Sequence, residues 1–203
     1  MALLTAIFQY DKLKHTVYKY FAPYLLYVVF YEKTSLYNWY SIHHSNLWIN
    51  NFTIAFSFLF LSLVLCKVIK TPSYKKWITR AIYFSLLCSA INMSFIQGFW
   101  KLDSITILLE YAIIITINFL YFYELMNYSG EPLNIIKLPG FWLNTGLLFF
   151  CLFEFLFFSS FAYMAYKNNY DYLLLFVFIS YSANVILYSC ITVALLCPQQ
   201  TRK

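Results

Sequence analysis

The sequence is short of charge. Only 11 % of its 203 residues are Asp, Glu, Lys or Arg, and just eight are acidic; soluble domains carry about 25 %. It has four glycines (Gly98, Gly130, Gly140, Gly146), too few and too scattered for a phosphate-cradling loop. The five cysteines (Cys66, Cys88, Cys151, Cys190, Cys197) include no C-x-x-C pair and all fall in apolar stretches. They read as packing residues rather than a zinc or redox framework. A G-x-S-x-G elbow and an H-E-x-x-H helix are missing. Neither Arg80 nor Arg202 is followed by a nearby histidine, which excludes the arginine–histidine motif of small RNA-cleaving helical domains. Residues 1–10 lack the basic segment and small-residue site of a cleavable leader, and the C-terminus lacks a prenylation box. The expectation is a chain without enzymatic activity, catalytic residues, cofactor or metal.

Apolar and aromatic residues are abundant instead. They make up 62 % and 23 % of the chain, with 22 Phe and 20 Tyr, where an ordinary soluble domain is about 45–50 % apolar. A single soluble core of this size cannot hide so much apolar surface. That excludes a secreted domain, a nucleic-acid-binding module and a disordered tail. The expected fold is all-α: a polytopic membrane helix bundle forming one transmembrane domain over residues 1–203.

A spanning helix needs about 20 mostly apolar residues. Six runs qualify, near 17–36, 47–67, 77–99, 104–127, 141–166 and 171–197; they are called helices A to F here. Helix A is the weakest. Its uninterrupted apolar core, Tyr20 to Tyr31, contains Pro23, so it also fits a re-entrant or interfacial segment.

The net charge of +6 is an orientation signal. A dense basic patch, Lys67, Lys70, Lys75, Lys76 and Arg80, lies between helices B and C and is expected on the cytoplasmic side. Alternation then places Lys12, Lys14, Lys19, Lys137, Arg202 and Lys203 inside with it, and leaves only Lys33, Lys101 and Lys167 outside. Six spans with both ends inside satisfy this count. Trp39, Trp48, Trp77, Trp100 and Trp142 all fall at expected interfaces, as an aromatic belt requires.

Carboxylates inside hydrocarbon are expensive and mark candidate sites. Glu110 lies about 9 Å below the outer face on helix D. Glu154 lies about 20 Å from the inner face on helix E, hence about 10 Å from the outer one. Asn92 on helix C falls at a similar level, giving an expected outer polar layer of Asn92, Glu110 and Glu154. Asn118, Asn184 and Glu124 follow deeper. Asn118 shares a helix face with Glu110, and Glu124 does so only loosely. Three readings stay open for these residues: a proton- or ion-responsive cluster or pore lining, interhelical hydrogen bonding by neutral Glu and Asn, and a subunit interface. His43 and His44 in the outer A–B loop are weak metal candidates, without convincingly spaced further ligands. The basic patch also suits anionic lipid heads.

Two stretches carry a resemblance. Lys19-Tyr20-Phe21-Ala22-Pro23-Tyr24-Leu25-Leu26, followed by Tyr31-Glu32, resembles a segment of uncharacterised multi-span membrane proteins of Bacteroidota. So does Pro139-Gly140-Phe141-Trp142-Leu143-Asn144-Thr145-Gly146. Those relatives often have seven spans and include sensor-like membrane modules near or fused to sensor kinases. The resemblance implies a chain that lacks their first span. In size and span count the chain is also similar to the small membrane accessory proteins of type VI-B CRISPR systems. Together these imply a bacterial inner-membrane accessory of signalling or anti-phage defence. Its expected partners are membrane lipids, further copies of itself, and a nuclease or sensor kinase, with no direct contact to nucleic acid. An ion channel or proton-coupled transporter, and a stand-alone sensor module for a separate histidine kinase, are the alternatives.

Overall fold

The computed structural model describes residues 1–42, 45–127, 134–166 and 170–197, with the backbone alone for 161–166, 170–173, 175 and 176. It is an all-helical bundle. Among the described residues the only β pairing is an isolated bridge between Ile42 and Ser45.

Two short helices, α1 (Ala2–Phe8) and α2 (Tyr10–Leu13), precede a 3-10 turn at Val17–Tyr20 and α3 (Phe21–Leu36). The long helices follow: α4 (Leu47–Val68), α5 (Pro72–Ile91), α6 (Ser104–Met126), α7 (Pro139–Tyr166) and α8 (Tyr170–Leu196). Five stretches are long and apolar enough to cross a membrane: Leu47–Val68, Pro72–Ile96, Ser104–Met126, Pro139–Ser160 and Val177–Leu196. They stand where helices B to F were expected, and the chain is a multi-pass membrane protein. Expected helix A is a 3-10 turn leading into an α-helix of 16 residues, about 24 Å long and short of a ~30 Å hydrocarbon core. Pro23 sits in its first turn, where a missing N–H removes no hydrogen bond.

Helix C starts at Pro72, five residues ahead of the expected Trp77. Proline at the first helical position has its φ preset and no donor to waste, so the helix begins as soon as the chain turns. Lys75, Lys76 and Arg80 therefore ride on α5 rather than in a loop. At its other end the α-helix stops at Ile91, widens into a π turn over Asn92–Ile96, and breaks at Gly98, whose φ of +87° suits glycine.

α7 lies along α8 and against α6; α6 also packs on α4 and α5, and α1 tucks against α8 and α3. The core is Leu, Ile and Val from α4 to α8 with Phe21 and Leu25 of α3. Large apolar side chains also cover the outside, including Phe84, Leu87, Phe119 and Leu156. The buried faces, by contrast, carry Ser62, Ser85, Asn118 and Asn144. That inversion suits lipid as the surrounding medium, where interhelical contacts are built from small and polar side chains. All five cysteines are free thiols, and Cys151 and Cys190 are buried. The Trp48 indole N–H donates to the Tyr40 carbonyl at 2.9 Å, and that of Trp142 to Ile136 at 2.8 Å. These two belt residues thus tie down the chain just ahead of their own helices.

Candidate functional site

A buried polar cluster joins α4, α5 and α6 at one end of the bundle. Ser85, Ser89 and Asn92 recur at i, i+4 and i+7, so they share one face of α5 and its π extension. Asp103 immediately precedes α6, in the position of its N-cap, but its carboxylate bonds none of its own helix's amides. It turns to α5 instead. Ser89 Oγ donates to Asp103 Oδ2 at 2.8 Å, and Asn92 Nδ2 donates to Oδ1 of the same carboxylate. Asn92 Nδ2 also donates to Gln97 Oε1 at 2.6 Å, and Gln97 Nε2 to Ser104 Oγ at 3.0 Å. From α4, Asn51 Oδ1 accepts the Asp103 backbone N–H at 3.1 Å, while Asn51 Nδ2 donates to the Lys101 carbonyl at 2.7 Å. Asn51, Ser89, Asn92 and Asp103 are all buried. Both side-chain donors to the Asp103 carboxyl, Ser89 and Asn92, are neutral groups.

Below Asp103 on α6 lie Thr106, Glu110 and Asn118, all buried. Their hydrogen bonding is incomplete. Thr106 Oγ1, Glu110 Oε2 and Asn118 Oδ1 have no hydrogen-bond partner among the described residues, nor do Ser62 Oγ, Ser85 Oγ, Asn92 Oδ1 and Asn144 Oδ1. Asn118 Nδ2 and Asn144 Nδ2 each donate back along their own helix, to the carbonyls of Ile114 and Gly140. A buried polar atom without a partner typically costs about 1–3 kcal/mol.

The other expected residues go elsewhere. Glu154 of α7 is buried and accepts from Ser180 Oγ of α8. Asn184 donates to the Ser180 carbonyl at 3.0 Å, within its own helix. No hydrogen bond joins Asn92, Glu110 and Glu154 to one another among the described residues. Asn92 belongs with Asp103, and Glu154 with Ser180. Glu124 leaves the buried face of α6 altogether. Its two carboxylate oxygens accept the backbone N–H groups of Lys70 (2.9 Å) and Thr71 (2.7 Å), so it clamps the turn between α4 and α5. That position, just ahead of the α5 N-terminus, is favourable for a negative charge. Of the basic patch, Lys67 ends α4 and Lys70 lies in the turn, and both are exposed with Lys76 and Arg80; Lys75 is half-buried. His43 and His44 lie outside the described residues. No group of three or more His, Cys, Asp or Glu able to hold a metal occurs among the described residues.

Asp103 and Asn51 are the residues that sequence reasoning missed. Asp103 falls one position before helix D and reads as a loop acid. The available signal was the spacing of Ser85, Ser89 and Asn92, a polar face on an otherwise apolar helix that calls for a partner. No family model, curated protein or solved structure matches the chain.

Proposed function

We propose that the chain is a non-enzymatic, multi-pass protein of a bacterial inner membrane, an accessory of signalling or anti-phage defence that acts through a partner or its own assembly. In this reading the 3-10 turn at Val17–Tyr20 and α3 together make the first of six crossings, with both ends in the cytoplasm. The observation that favours a non-conducting accessory over a channel is how the bundle uses its acidic side chains. Asp103 ties α6 to α5, Glu154 ties α7 to α8, and Glu124 ties α6 to the α4–α5 turn. Clasps of this kind shape a scaffold rather than line a continuous path. The test combines genetics with reconstitution. Deleting the gene is expected to change phage survival or the output of a sensor kinase, while the protein in liposomes conducts no ions. A deletion without either phenotype, from a locus with neither a nuclease nor a sensor-kinase gene beside it, overturns the proposal. Cysteines placed at Lys12 and Lys76 should react with an impermeant maleimide from the cytoplasmic side, and one at Trp39 from the opposite side.

A second reading, a proton-coupled or proton-sensing membrane protein, is favoured by Glu110 alone. Its buried, unpartnered carboxyl oxygen is the feature that clasping does not explain. Proton flux into liposomes that is lost in a folded Glu110→Gln variant supports it; no flux at any pH removes it.

A further inference from the structure

α3 meets α4 through aromatic side chains that hold the two helices apart. Tyr24 stacks on Phe60 with ring centroids 4.1 Å apart, Phe21 meets the same ring edge-on at 5.4 Å, and Tyr27 meets Phe56 at 4.8 Å. Farther along, the Tyr27 hydroxyl pairs with Thr53 Oγ1 and that of Tyr31 donates to Asn50. Bulky rings and hydroxyl bridges leave a groove of about 350 Å³ on the side of the bundle, within the size range of small-ligand sites. Its walls are Pro23 and Tyr24 on one side and Phe56, Phe60 and Leu63 on the other. From Phe56 to Lys67 it follows α4 for about 16 Å. Phe56 and Leu63 are exposed, and on a membrane-crossing helix their surroundings are lipid.

One end of the groove is charged. Lys67 lines it, and the Lys67 and Lys19 ammonium groups each lie 5.0 Å from the centroid of the same ring, Tyr20. Two cations gathered at one ring repel each other, and the ring's quadrupole offsets only part of that repulsion. An anionic group at this end would offset the charge of both. This is also the end expected to face the cytoplasm, where anionic headgroups attract Lys and Arg.

We propose that the α3–α4 groove binds an anionic phospholipid, with an acyl chain along the aromatic wall and the phosphate on Lys19 and Lys67. The combination selects this occupant. A helix from a second copy could cover the apolar wall, but its anion would have to come from one of only eight acidic residues, and free phosphate would leave the wall empty.

The test is native mass spectrometry of the full chain, purified in detergent and offered equal amounts of phosphatidylglycerol and phosphatidylcholine with the same acyl chains. The wild type should retain phosphatidylglycerol preferentially. Combining Lys19→Gln with Lys67→Gln should lower that retention about tenfold or more. Combining Lys76→Gln with Arg80→Gln, on α5, should change it less than about twofold. Leu63→Trp, which narrows the groove with both lysines intact, should also lower it, and inorganic phosphate should fail to displace the lipid. Equal retention of the two lipids, equal losses in the two double variants, insensitivity to Leu63→Trp, or displacement by phosphate alone would each overturn the proposal. So would a dimer that forms without lipid and is lost in Leu63→Trp.

Discussion

Gly146 of α7 faces Cys190 of α8 so closely that a Cβ on the glycine would lie 2.6 Å from the Cβ of the cysteine. The neighbouring Leu147 of α7 and Leu187 of α8 are both buried at this contact. Glycine is needed there for the close approach, as at small-residue crossings of membrane helices generally.

Gly146→Ala should therefore destabilise the bundle by about 1–3 kcal/mol, the usual range for overpacking, seen as a lower midpoint in thermal unfolding in detergent. Cys190→Ala keeps the obstructing Cβ and should not rescue it, whereas Cys190→Gly should. Gly140→Ala should cost less. Its new Cβ would meet the Tyr121 hydroxyl at 2.8 Å, the far end of a long side chain, and a Val68 methyl at 3.0 Å, a smaller shortfall than the 2.6 Å at Gly146.

Asp103→Ala removes the acceptor shared by Ser89 and Asn92. Ser89 Oγ then keeps only a weak contact to the Met93 sulfur at 3.8 Å, and Asn92 Nδ2 keeps Gln97 as its one acceptor, so the loss should be about 1–3 kcal/mol in all. Asp103→Asn retains one acceptor oxygen but turns an NH2 toward the two donors. Its unfolding midpoint should fall between those of the wild type and Asp103→Ala; an Asp103→Ala protein as stable as the wild type would rule the clasp out.

Glu124→Ala exposes the amides of Lys70 and Thr71 and should cost about 0.5–2 kcal/mol, as for loss of a helix cap. Hydrogen exchange should show those two amides opening faster, with little change at the far end of α5. Glu124→Gln keeps one acceptor and should recover part of the protection.

Glu110→Leu should behave in the opposite way. It replaces a buried carboxyl that has an unpartnered oxygen with an apolar side chain of similar length. Removing an uncompensated polar group of this kind is stabilising by about 1–3 kcal/mol. A raised unfolding midpoint would show that the carboxyl is retained against stability. A lowered one would show that it has a partner in the membrane-embedded protein.

The local pattern determined a good deal by itself. Apolar runs about 20 residues long located α4 to α8, because a helix in lipid satisfies its backbone within its own segment. Trp48 marks the start of α4 to within a residue, whereas Trp77 and Trp142 lie inside α5 and α7, which begin at Pro72 and Pro139, ahead of the expected 77 and 141. The same apolar character hid which face turns inward. In water, hydrophobicity separates buried from exposed; here Phe84, Leu87, Phe119 and Leu156 point outward while Ser62, Ser85, Asn118 and Glu110 point in. Depth along each helix was legible from residue number, and so Asn92, Glu110 and Glu154 were expected as one layer. Which side chains meet depends on rotation about each helix axis and on which helices are neighbours. Those are decided by packing between residues far apart in the chain, such as Gly146 with Cys190 and Asn51 with Asp103. The tertiary structure therefore gave Asn92 to Asp103, Glu154 to Ser180 and Glu124 to the α4–α5 turn, and left Glu110 with an oxygen unpaired.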